Sequence, residues 1–250
     1  MNDPPPSSPG AAGAPASARQ RLVLALDSDD RSTFSVWVRE LASEVGVLKV
    51  GLESFVRWGH EAVHEAVATA ERSGASVFLD LKLHDIPNTV AGAVRAACDL
   101  GVRYLTVHAG GGERMMRAAC EAAAGRLEVL AVTVLTHLDE EELDRLDLPG
   151  SASQRALLWA SQARAAGCAG VVCSPLELAT LRPRLGEPFL LVTPGIRPAG
   201  SDSGDQRRVA TPASALRAGA DLVVVGRPIT RADSPPGVAR EIVAEIASVL

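Results

Sequence analysis

Aromatic residues make up only 3% of this 250-residue chain. So thin a supply argues against the stacking platforms that bind single-stranded nucleic acid. A basic surplus is missing too: 25 Lys and Arg stand against 30 Asp and Glu, a formal charge of -5. Nothing therefore draws the whole chain to nucleic acid or to an anionic membrane, and an anionic ligand would need a local basic pocket. No apolar run approaches the roughly 18 residues of a membrane span. Cys98, Cys120, Cys168 and Cys173 form no C-x-x-C pair and fit neither a zinc ribbon nor a disulfide framework. They read as reduced thiols of a core or an interface, which places the protein in the cytoplasm.

Residues 1–20 are rich in Pro, Ala, Ser and Gly, without the basic start and apolar centre of a secretory signal. Such a stretch cannot bury enough surface to offset its ordering entropy, so a disordered tail is expected. Residues 21–250 are then left for one compact domain.

In that domain short apolar runs alternate with longer amphipathic, Ala-rich segments. The runs cover residues 21–27, 46–51, 76–83, 104–109, 128–135, 170–174, 189–196 and 221–229. They are rich in Val and Leu, as strands of a parallel sheet buried on both faces are. Helical spacing marks the segments between, as in Val63, Ala66, Val67 and Ala70, with Gly74 as a stop. Eight β-α units predict a (β/α)8 TIM barrel. An open doubly wound sheet would be expected to carry a G-x-G-x-x-G turn after its first strand, where this chain has "LDSDDR".

In such a barrel the chemistry belongs at the carboxyl ends of the strands. Asp27, Lys49, Asp80, Lys82, Asp85, Thr136, Arg197, Gly226 and Arg227 all fall there. Within "FLDLKLHDIPNT", Asp80 and Lys82 are two residues apart, which puts them on one side of a strand, and Lys49 lies one strand over. Two readings fit this run: a structural ion-pair network inside the barrel, or a set of catalytic charges held as an alternating array. A long Gly-, Ser- and Pro-rich loop, residues 192–212, carries Arg197 and Gln206 and is followed by Gly226 and Arg227. Loops after strands seven and eight form the usual phosphate site of these barrels, although a mobile surface loop with solvated Arg would look similar.

Other motifs point elsewhere. "HEAVH", residues 60–64, has the zinc-peptidase pattern. Its helix, however, is expected to turn Val56, Ala62, Val63, Ala66, Val67 and Ala70 inward, leaving His60 and His64 toward solvent. "HAGGGERMM" could cradle an anion or simply make a tight strand-to-helix turn. His84 and His137 are expected to be structural hydrogen-bonding groups.

The motifs "LALD", "LKVGLESF", "DLKLHDIPNTV", "VTVLT", "PGIRP", "DQRRVATP" and "VVVGRPI" follow one another in order. Together they resemble the orotidine 5'-phosphate decarboxylase family in its short bacterial form, from about residue 21 to 250. The resemblance implies conversion of orotidine 5'-phosphate to uridine 5'-phosphate and carbon dioxide in pyrimidine synthesis, with no metal or organic cofactor. It implies that Lys82 is catalytic within an array of Lys49, Asp80, Lys82 and Asp85. Asp85 and Thr89 would reach the neighbouring subunit's site in a homodimer, and Ile86 would contact the substrate. Asp27 would hold the ribose, and Thr136, Arg197, Gln206, Gly226 and Arg227 the pyrimidine edge or the phosphate. Magnesium-dependent sugar-phosphate enzymes on related barrels share a D-x-K-x-x-D run but resemble one another in an acidic residue near the second strand's end, where this chain has Lys49. A non-catalytic phosphate-binding barrel is a third reading, and it gives the charged run no purpose.

Overall fold

The eight runs become eight parallel strands: β1 (Leu22–Ala25), β2 (Val47–Gly51), β3 (Ser76–Leu83), β4 (Tyr104–His108), β5 (Glu128–Val132), β6 (Gly170–Val172), β7 (Leu190–Thr193) and β8 (Leu222–Val225). They pair in chain order, and β8 returns to β1 to close the barrel. The structure is a computed structural model, and it describes residues 15–148, 150–198 and 210–250. Gln206 and most of the expected tail lie outside the described residues. Contacts to the barrel are already made before the expected boundary at Arg21: Ala18 packs against the core, and Arg19 follows. Its guanidinium donates to the carbonyls of Val45 at 2.8 Å and Gly74 at 2.9 Å.

The helices are α1 (Arg31–Leu41), α2 (Leu52–Ser73), α3 (Pro87–Cys98), α4 (Gly112–Ala123), α5 (Glu140–Arg145), α6 (Ala152–Ala165), α7 (Leu178–Leu185), α8 (Pro212–Arg217), α9 (Arg227–Thr230) and α10 (Pro235–Ala247). The α2 helix ends where expected, with Gly74 in the left-handed conformation at φ 68°. Other boundaries differ. The last apolar run stops being a strand at Val225, and its "RPI" portion opens α9, because Pro228 has no N–H for a ladder but suits a helix start. Val56 is 80% exposed rather than part of the apolar face of α2. Gly59, at φ 55° and ψ -138°, breaks the helical phase between it and Ala62.

Strand alternation divides the core in two. Leu22, Leu24, Leu48, Val50, Val77 and Leu79 point outward, into a shell packed under the helices. Val23, Val47, Phe78, Tyr104, Leu130 and Leu222 point inward and plug the barrel, with Phe78 and Tyr104 edge to face at 6.0 Å. This interior phase then changes character toward the carboxyl end. Two residues beyond Val47, Phe78 and Tyr104 stand Lys49, Asp80 and Thr106, all three buried. An apolar floor thus lies directly beneath a polar layer.

Candidate active site

Asp80 is the centre of that layer. Its Oδ1 accepts the Lys82 ammonium at 2.8 Å and the Thr106 hydroxyl at 2.9 Å. Its Oδ2 faces Lys49 Nζ at 3.3 Å, and Lys49 in turn lies 3.8 Å from Asp27 Oδ1. Lys49 is 8% exposed and Asp80 9%. Burial on its own would push each toward its neutral form. Burial raises the Asp80 carboxyl, but the ammonium groups of Lys49 and Lys82 and the hydrogen bonds outweigh it and hold the group below its ordinary value. Burial lowers Lys49, but the carboxylates of Asp80 and Asp27 outweigh it and hold the ammonium above its ordinary value. Asp80 and Lys49 are therefore favoured in their charged forms by neighbours of opposite sign.

Simple strand alternation does not account for the Asp80–Lys82 contact. Between Leu79 and Leu83 the β3 strand advances four residues while β4 advances only two, from Leu105 to Val107. The surplus forms a bulge in which Lys82 takes a left-handed φ of 51°. That conformation costs a non-glycine residue roughly 1–2 kcal/mol. The bulge also takes the Lys82 N–H out of the ladder, and the Thr106 hydroxyl accepts it at 2.9 Å.

The array stands between two cavities that share Lys49, Asp80, Pro194 and Val224. The smaller, about 200 Å³, joins Lys82 and Thr136 to apolar walls that include Val132, Leu135 and Val172. The larger, about 760 Å³, is lined by Asp27, Arg197, Gly226 and Arg227. Gly226 makes room at its floor, since a Cβ there would stand 3.3 Å from Ala25 Cβ. Arg197 Nε is buried with no hydrogen-bond partner among the described residues. A buried guanidinium with a spare donor is suited to an anion.

Asp85, Ile86 and Thr89 are not gathered into this mouth. All three are exposed, and Asp85 accepts the backbone N–H of Ile86 at 2.6 Å. No ion pair joins Asp85 to Lys82 among the described residues. The glycines after β4 make a tight turn: a Cβ on Gly111 would meet Met115 Cε at 2.2 Å. His84 stacks on His108 at 5.2 Å and makes no side-chain hydrogen bond among the described residues, and His137 is exposed. His60 and His64 are exposed on α2, and no group of three potential metal ligands occurs among the described residues.

Three site features escaped the sequence reading. Thr106 is one, hidden in an ordinary "YLTVHA" strand. Gly51 is another, since a Cβ there would stand 2.4 Å from Asp27 Oδ1 and 3.0 Å from Lys49 Nζ. The third was visible in the composition: Lys49 and Lys82 are the only lysines in the chain, every other basic side chain among its 25 Lys and Arg being arginine.

Comparison with known proteins agrees with this geometry. Residues 20–242 match the model of the orotidine 5'-phosphate decarboxylase / HUMPS family. An orotidine 5'-phosphate decarboxylase of Anaeromyxobacter dehalogenans is 51% identical over 225 residues, covering 90% of this chain and 97% of the relative. One from Thermobifida fusca is 50% identical over 225 residues, covering 90% and 95%. The crystal structure of orotidine 5'-phosphate decarboxylase from Lactobacillus acidophilus superposes with a TM-score of 0.78 at 34% identity, covering 90% of this chain and 98% of that one. The chain belongs to the orotidine 5'-phosphate decarboxylase / HUMPS family.

Proposed function

We propose that this barrel, spanning residues 21–250, converts orotidine 5'-phosphate to uridine 5'-phosphate and carbon dioxide, the last step of de novo pyrimidine synthesis, without a metal or organic cofactor. The observation that carries the reading is the Lys82 ammonium, held 2.8 Å from Asp80 at the edge of a small, largely apolar cavity. Breaking the bond from C6 to the carboxylate leaves an electron pair in the plane of the pyrimidine, where the ring cannot delocalise it. A fixed ammonium beside C6 stabilises that charge and then gives it a proton, leaving a neutral amine that solvent reprotonates. Asp80 and Lys49 keep the site charged and aligned, and Asp80 stands near the substrate carboxylate.

The rest of the nucleotide is distributed along the mouth. Thr136 meets the pyrimidine edge, Asp27 and Lys49 hold the ribose, and Arg197, Gly226 and Arg227, with Gln206, take the phosphate. Binding energy from the remote phosphate can be used to exclude water and position C6. In the magnesium-dependent sugar-phosphate enzymes the corresponding place near the end of β2 would need an acidic ligand. The ammonium of Lys49 repels a cation there.

A second copy of the chain completes each site in this reading. Asp85, Ile86 and Thr89 lie exposed on one short segment beside the mouth, with Ile86 66% exposed. An apolar side chain so placed is suited to burial against a partner. The free thiols of all four cysteines fit a cytoplasmic setting, and no helix among the described residues is long and apolar enough to cross a membrane. The deciding experiment follows the ultraviolet absorbance of orotidine 5'-phosphate when chelator-treated protein is added. Loss of the orotate chromophore without added metal supports the reading. A folded protein that leaves it unchanged, yet acts on a sugar phosphate with magnesium, overturns it.

A further inference from the structure

Thr106 is fully buried, on the interior phase of β4, and its hydroxyl works in both directions. It accepts the backbone N–H of Lys82 at 2.9 Å and donates to Asp80 Oδ1 at 2.9 Å. The same Asp80 oxygen receives Lys82 Nζ at 2.8 Å. A closed circuit results, running from the Lys82 amide through Thr106 and Asp80 to the Lys82 ammonium. Both ends of one lysine are thereby tied to a single point on the neighbouring strand.

That point faces the bulge. The two surplus residues of β3 between Leu79 and Leu83 lie opposite the short β4 segment from Leu105 to Val107, whose middle residue is Thr106. The left-handed backbone of Lys82 is unfavourable for a residue with a side chain and persists only if its surroundings hold it. Among the described residues, the Thr106 hydroxyl is the acceptor that replaces the lost ladder partner of the Lys82 amide.

We propose that Thr106 is a positioning residue for the decarboxylation: it clips the β3 bulge in place and aims the Lys82 ammonium and the Asp80 carboxylate as one unit. The proposal rests on the catalytic reading of Lys82, and it adds a residue that touches neither the substrate nor the reacting carbon. A hydroxyl in this place does what an aliphatic side chain of the same shape cannot, because a bulged amide and a carboxylate oxygen must be satisfied together.

The test compares Thr106→Val, which keeps the shape and removes the hydroxyl, with Thr106→Ser, which keeps the hydroxyl and removes the methyl. Turnover, KM, affinity for uridine 5'-phosphate and the acetylation rate of Lys82 are measured in each. Because Lys49 and Lys82 are the only lysines, peptide mass spectrometry after acetylation reports on the array alone. Thr106→Val is expected to lose about tenfold or more in kcat, with product affinity within about threefold. Its Lys82 is expected to acetylate severalfold faster. Thr106→Ser is expected to recover most of both effects. Should the valine variant fail to fold, Thr106→Ala takes its place with the same expectations.

Two results overturn the proposal: serine and valine variants that both keep wild-type turnover and labelling, or variants that lose them equally, which would make the methyl and its packing the cause. The labelling separates this proposal from the functional reading. If the wild-type protein does not act on orotidine 5'-phosphate, that reading falls by itself. Faster Lys82 labelling in the valine variant, reversed by serine, would still establish the clip, and unchanged labelling would remove it.

Discussion

Gly51 lies against Asp27 so closely that a single methyl group on Gly51 would stand 2.4 Å from Asp27 Oδ1. Its φ of -91° is open to any residue, so the requirement is space and not backbone conformation. Gly51→Ala is therefore expected to fold normally while forcing Asp27 and Lys49 apart. Turnover should fall by about tenfold to a hundredfold, the scale of a small misplacement of catalytic groups. Steady-state kinetics alongside a thermal melt check this. A fall in melting temperature that accounts for the lost activity would contradict it, as would full activity.

The eight strands were legible because parallel strands buried on both faces leave short runs rich in Val and Leu, recurring between longer amphipathic segments. Their ends were less legible. "VVVGRPI" is apolar throughout, and only the inability of Pro228 to join a ladder separates strand from helix. Asp80 and Lys82 could be placed together from their spacing, yet the contact is made through a bulge that strict alternation does not contain. No residue in "FLDLKL" announces that bulge, because the Thr106 hydroxyl opposite it lies 24 residues further along the chain. Val56 misled for a similar reason: the helical projection assumed a continuous phase, and Gly59 interrupts it.

Arg227 opens α9 and lines the larger cavity together with Asp27 and Arg197. If it grips phosphate, Arg227→Ala should reduce kcat/KM for orotidine 5'-phosphate by about a hundredfold, or about 2.7 kcal/mol, the scale of a charge-assisted hydrogen bond. Decarboxylation of the phosphate-free nucleoside orotidine should change by less than about threefold. Equal losses on both substrates would deny Arg227 a phosphate role.

His108 introduces a pH dependence outside the array. Its Nδ1 accepts the Gly110 N–H at 3.1 Å, its ring stacks on His84, and Trp159 meets it edge-on at 5.9 Å. Burial, then the neighbouring charges of His84 and Lys82, hold its pKa below the ordinary value of 6.5. The unfolded chain therefore takes up this proton before the folded one does. Stability should decline as pH falls below about 6.5 and stop declining once the folded group also protonates. His108→Gln, which cannot take up that proton, should show a smaller drop in melting temperature between about pH 7.5 and 5.5 than the wild-type protein. An equal or larger drop would count against His108 as the source.

Lys82 and Asp85 belong to different sites in the proposed dimer, and that can be tested with two inactive proteins. Lys82→Ala should abolish turnover while leaving uridine 5'-phosphate binding largely intact, because in the proposed reading the lysine acts on the reacting carbon and the phosphate is gripped by other residues. Asp85→Ala should lose most activity as well, although its carboxylate is exposed and joins no ion pair to Lys82 within its own chain. In a mixed dimer one barrel lacks its own Lys82 and also receives no carboxylate from the partner. The other barrel keeps its own Lys82 and receives Asp85 from the Lys82→Ala chain, so one native site is rebuilt. Random exchange makes half of all dimers mixed, and the mixture should recover about a quarter of wild-type activity. Recovery should require subunit exchange, which can be set by mild denaturation and dilution. If the exchanged mixture stays as inactive as its components while wild-type protein survives the same treatment, the two residues act within one chain and the shared-site arrangement is wrong.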